Sequence, residues 1–170
     1  MKAQSTLEGV NLNFMKRRMF FDQIKDILVN AKDLGEVEQK LNKKAEELQK
    51  RGLRVGMVVG KISPSLEGET LESNKAILTQ KTLEIAKLVE KEGILVFSSA
   101  ALPDSIEGKF PRSDHYRVFE NFVRRYVKVI FTTPGWESSK GATGEVAIAK
   151  DNNIPIRHYS SGSLRPEKVA

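Results

Sequence analysis

Between Thr132 and Lys150 the chain reads TTPGWESSKGATGEVAIAK, three glycines, one tryptophan and two glutamates directly after an apolar run. Glycine lets backbone amides approach a ligand closely, so Gly135, Gly141 and Gly144, set among Ser138, Ser139 and Thr143, form a candidate cradle. Amides of Gly141 and Ala142, at the start of the helix that follows, would point at an anion. Ser139 adds a hydroxyl, and Trp136 offers a flat face on which a base or sugar could stack. Glu145 falls in the first turns of that helix, where the dipole favours an ionised carboxylate. A carboxylate beside a sugar attacks the anomeric carbon or stabilises the cation forming there. The plainer alternative is a helix-capping glutamate with a tryptophan covering the edge of the core. Neither the phosphate-loop pattern G-x-x-x-x-G-K-[ST] nor a dinucleotide fingerprint occurs.

The surrounding elements must position these groups. Residues 11–31 and 34–52 carry apolar residues at helical spacing, separated by KDLG, and read as a helical hairpin. Its stripe must be buried, either on its own domain or against a second copy. After Gly52 the period changes. LRVGMVVG, ILVFSSA, VKVIFTT and IPIRHY read as strands, with helices expected over about 74–92, 113–125 and beyond Gly141. Continuous Val, Ile, Leu and Phe in strands that alternate with helices indicate a parallel sheet covered on both faces. The expected fold is α/β: a doubly wound, flavodoxin- or Rossmann-like sheet of four to five strands with an N-terminal helical hairpin. The boundaries are 1–52 for the helical extension, 53–158 for the α/β domain and 159–170 for a flexible tail. Such sheets bind ligands beyond the carboxyl ends of their strands. GKISPS, SSAALPD and PGWESSKGATGE follow the first three strands and converge there. Gly60 and Lys61 would meet a phosphate, Ser98 and Ser99 a sugar hydroxyl. Glu145 would then face a hollow shared with the tips of the two preceding strands.

Composition narrows the function classes. With no cysteine, disulfides, thiolate metal sites and cysteine catalysis are excluded. His115 and His158 lack metal-ligand spacing, and no metal or cofactor is expected. The net charge of +6 divides evenly between residues 1–52 and 53–170, which suits a charged surface better than nucleic-acid binding. No apolar run is long enough to span a bilayer, and the start lacks a signal-peptide core, so a cytoplasmic location is expected.

At this point the residues resemble a family. VVG at the end of the first strand, NKAILTQKTLEIAKLVEKEGILVFSSA and TTPGWESSKGATGEVAIAKDNNIPI are similar to small proteins related to nucleoside 2-deoxyribosyltransferases. The resemblance covers roughly Val55 to Ile156. It implies a flavodoxin-like domain that takes a nucleoside or nucleotide and assembles as a homo-oligomer. It implies that Glu145 attacks C1′ of the sugar and that Glu120, early in the helix before the third strand, assists the departing base. Phosphoribohydrolases, with a Pro-Gly-Gly-x-Gly-Thr-x-x-Glu loop, are a second resemblance. A protein that binds the nucleotide without turning it over is the remaining alternative.

Overall fold

The computed structural model describes residues 22–98 and 112–168. Residues 22–30 form a first helix, α1, and Leu34–Lys50 a second, α2. Asp33 ends the break between them: its carboxylate accepts the Glu36 amide and caps α2. β1 (Arg54–Val59), α3 (Leu71–Leu88), β2 (Ile94–Ser98), α4 (Arg112–Tyr126), β3 (Val127–Thr132), α5 (Lys140–Asp151), β4 (Ile156–Ser160) and β5 (Ser163–Pro166) follow. Helix α3 starts earlier than the apolar spacing suggests, because Thr70 and Ser73 form a reciprocal capping box ahead of its first apolar turn.

The strands lie in the order β2-β1-β3-β4-β5, parallel except for β5. This is the doubly wound, flavodoxin-like order, with its switch point between β1 and β3. Alternate strand residues serve two cores. Val55, Met57, Val59, Phe97 and Ile130 meet α1, α2, α4 and α5 on one face. Val58, Ile94, Val96, Val129 and Phe131 meet α3 on the other. The hairpin is no separate extension: Ile24, Leu28, Val37, Leu41 and Leu48 are buried in the first of these cores. Residues 11–21 of the expected hairpin lie outside the described residues; over 22–50 its stripe is covered within the chain, and Tyr126 of α4 donates to Glu46 of α2 at 3.0 Å.

The C-terminal residues also depart from the flexible tail expected over 159–170. β4 runs on to Ser160, and Ser161 and Gly162 both take positive φ, 49° and 79°. A two-residue turn of that kind matches the twist of a hairpin, so β5 folds back antiparallel onto β4, Tyr159 opposite Leu164. Beyond β5, the Glu167 amide still donates to Ile156 O at 2.9 Å. Among the described residues no helix is long and apolar enough to cross a membrane.

Candidate functional site

Helix α5 carries two stripes. Ala142, Val146 and Ala149 are buried toward the sheet. Gly141, Gly144, Glu145 and Ile148, at three- and four-residue steps, face α4 instead. There they line a hollow of about 390 Å³ with Lys140 and with Phe119, Glu120 and Val123 of α4. That volume lies toward the lower end of small-molecule sites, about 300–1,000 Å³. The glycines create the space. A Cβ added at Gly144 would meet nothing within 4 Å, and one at Gly141 only Ser139 Oγ at 3.9 Å. Neither position has positive φ. Each costs the helix about 1 kcal/mol relative to alanine without any compensating contact, so what the pair provides is room.

Glu145 is the wall's chemical group. Burial pushes its carboxyl up to about 8, and among the described residues no hydrogen bond opposes that shift. Part of the side chain is still reached by solvent through the hollow. This corrects the ionised carboxylate expected from the helix dipole. Glu145 is the sixth residue of α5, past the first turn in which that dipole acts, and desolvation prevails. Glu120 reaches the same hollow from α4, ion-paired with Arg124 one turn on. The fold therefore brings together the two carboxyls that the sequence suggested.

The other expected residues are used differently. Gly60 lies at the switch point, but a Cβ there would fall 2.3 Å from Thr133 Oγ1 and 2.8 Å from Leu78 Cδ1. Its missing side chain admits Thr133, whose hydroxyl and amide both donate to Val59 O. Lys61 is bound to Glu69 at 2.8 Å, and the same carboxylate accepts the Ser65 and Leu66 amides, tying down the β1–α3 loop. Ser98 is buried at the end of β2, its hydroxyl without a partner among the described residues, and it is absent from the described lining of the hollow. Ser99 lies outside the described residues. Gly135 takes φ of 85° to start the short turn Trp136–Ser138, a backbone role. Ser139 caps α5, its hydroxyl accepting the Ala142 amide at 3.3 Å. That bond uses both of the groups expected to bind a ligand. Trp136 packs on the core and against the His158 ring, centroids 6.5 Å apart, so one of its faces is covered. The hollow in front of Glu145 is thus real, but among the described residues its walls are α4 and α5, not the tips of β1 and β2. Phe119, Val123, Lys140 and Ile148 are not among the binding residues expected from the sequence. The step 141, 144, 145, 148 was the signal that could have found those of α5.

Fold and site together define a doubly wound α/β domain with a carboxyl-bearing hollow between the two helices that flank β3. The sequence model of one family, a domain of unknown function (DUF4406), matches residues 78–158. That stretch runs from α3 into β4 and holds every described residue of the hollow, while the helical hairpin and β5 fall outside it. No curated protein and no solved structure matches the chain.

Proposed function

We propose that the protein breaks or transfers the N-glycosidic bond of a nucleoside or nucleotide, with Glu145 as proton donor and Glu120 as the charge-stabilising carboxylate. The observation that carries this reading is a carboxyl held at about 8 by burial, facing the same ligand-sized hollow as a second carboxylate. Two carboxyls in unlike environments divide acid and base work between them. At neutral pH Glu145 enters protonated. As the bond from C1′ to the base nitrogen breaks, its electron pair goes to nitrogen, which takes the Glu145 proton. Glu120 faces the cation left on the sugar. Water, or a second base, then bonds to C1′ and returns a proton to Glu145. These roles are the reverse of those implied by the family resemblance, because the nucleophile should be the carboxylate that is ionised. The apolar wall of Phe119, Val123 and Ile148 suits a planar base.

The test is incubation with ribo- and deoxyribonucleosides and their monophosphates, with free base followed by chromatography. Base release should fall at least about 100-fold in Glu145→Gln and decline above pH 8 as Glu145 loses its proton. Release that survives both changes refutes the role of Glu145. One observation favours binding without turnover: the Glu120 carboxylate is already paired with Arg124, which reduces the charge it can offer a sugar cation. Ligand-induced stabilisation with no base released would select that reading.

A further inference from the structure

The two faces of the sheet are unequally covered. Of the described helices, α1, α2, α4 and α5 serve the first core and only α3 serves the second. Beside α3, over β4 and β5, a second hollow of about 590 Å³ is left open, within the range of small-molecule sites. Leu88 and Glu92 wall it on the α3 side, Leu164 and Pro166 on the β5 side. Arg157 forms its floor. It stands opposite Pro166 in the β4–β5 ladder, as Tyr159 stands opposite Leu164, and alternate strand residues share a face. The two sides are tied together. Tyr159 donates to Glu84 of α3, and Arg157 donates to both Glu92 oxygens, at 2.8 and 2.9 Å. The guanidinium also lies over the Phe131 ring, 5.9 Å from its centroid.

We infer that this hollow is a binding site for an uncharged planar heterocycle, of the kind a free nucleobase presents, stacked on the Arg157 guanidinium. A guanidinium is flat, weakly hydrated and stacks on aromatic faces. Phe131 is 0% exposed and takes one face of Arg157, so the part of the side chain that solvent reaches looks into the hollow. The Glu92 fork fixes the plane in advance, so less side-chain freedom is lost when a ring settles on it. It also decides the charge of the ligand. The in-plane hydrogens that grip a carboxylate or phosphate are already given to Glu92, whose own charge repels an anion. Leu88, 46% exposed, and Leu164 supply apolar contact for the edges of the ring. The Ser163 hydroxyl donates to Ser160 O at 3.1 Å, which leaves its oxygen able to accept a ring N–H at the rim. None of these residues lines the α4–α5 hollow, and binding here needs no turnover there.

Methyl resonances of the full chain separate the two hollows: Leu88 and Leu164 report this one, Val123 and Ile148 the other. Adenine, flat and uncharged at neutral pH, should shift the Leu88 and Leu164 methyls in a titration carried to its solubility limit. Cyclohexanol, which is not flat, and benzoate, which is flat but anionic, should each bind at least about 5-fold more weakly. No shift at Leu88 and Leu164, shifts confined to Val123 and Ile148, or equal binding of either control overturns the inference. Arg157→Lys keeps the charge and loses the plane, so adenine affinity should fall at least about 5-fold. That change also loosens the pair with Glu92, and Leu88→Ser therefore gives a second test, on a side chain that lies largely outside the core. It should weaken adenine about 3-fold through lost apolar contact. Unchanged affinity in a folded Arg157→Lys, or in Leu88→Ser, refutes the stacked site; if Arg157→Lys fails to fold, Leu88→Ser decides.

Discussion

Replacing Glu145 by glutamine should stabilise the protein, increasingly so as pH rises. With the folded carboxyl at about 8 and its ordinary value at 4.5, the folded chain binds this proton more tightly than the unfolded chain does. Below about pH 4.5 both states are protonated and the group costs nothing. From there to about pH 8 the unfolded chain ionises while the folded chain does not, so stability is lost with rising pH. Above about 8 both are ionised and the loss is complete. Each pH unit in that window is worth about 1.4 kcal/mol. Since pH 7 lies about 2.5 units above the ordinary value, the upper bound there is about 3 kcal/mol. Solvent reaching the carboxyl through the hollow screens part of this, leaving about 1–3 kcal/mol. The assay is urea unfolding of wild type and Glu145→Gln at several pH values between about 4 and 8. The two curves should coincide near pH 4 and separate steadily, with the variant the more stable. A gap independent of pH, or a wild type more stable at pH 7.5, would refute the desolvated carboxyl and with it the proton donor. A group that weakens the fold while facing a hollow fits the trade between stability and function.

Gly144→Ala should raise stability by about 0.5–1 kcal/mol, since the helix gains a better former and the added methyl meets open space; thermal melting should show the gain, and ligand-induced stabilisation should shrink as the hollow narrows. Gly60→Ala should do the reverse, costing about 1–3 kcal/mol because its Cβ collides with Thr133 and Leu78, and adding Thr133→Ala should restore part of the loss in denaturant unfolding. Glu69, pushed down to about 2 chiefly by the Lys61 hydrogen bond, contributes above its ordinary value and loses that contribution only as pH falls toward 2; Glu69→Gln should therefore speed hydrogen exchange at the Ser65 and Leu66 amides at neutral pH. The Glu167 amide should be protected from exchange by its bond to Ile156 O, whereas exchange at a free-peptide rate would restore the mobile tail.

Much of the scaffold could be read locally. Buried strands such as Val55–Val59 declare themselves by unbroken apolar runs, and α2 by apolar residues at three- and four-residue steps. Both signals lie among near neighbours in the chain. The start of α3 and the β4–β5 turn were also written locally, in Thr70 with Ser73 and in Ser161 with Gly162. Apolar spacing does not reveal them, because polar residues in those stretches look like ordinary loop.

The sequence by itself determined an α/β domain, the order of its helices and strands, and a glutamate on the helix after the third strand. Only the tertiary structure decided the strand order, the burial of the hairpin on its own sheet, and the groove that Glu145 faces. It also decided that Gly60 makes way for Thr133, that Lys61 is held by Glu69, and that Trp136 lies on His158. The physical reason is one of range. Periodicity and capping arise from residues a few positions apart, whereas a pKa, an occupied hydroxyl or an empty space depends on groups that meet only when distant segments pack.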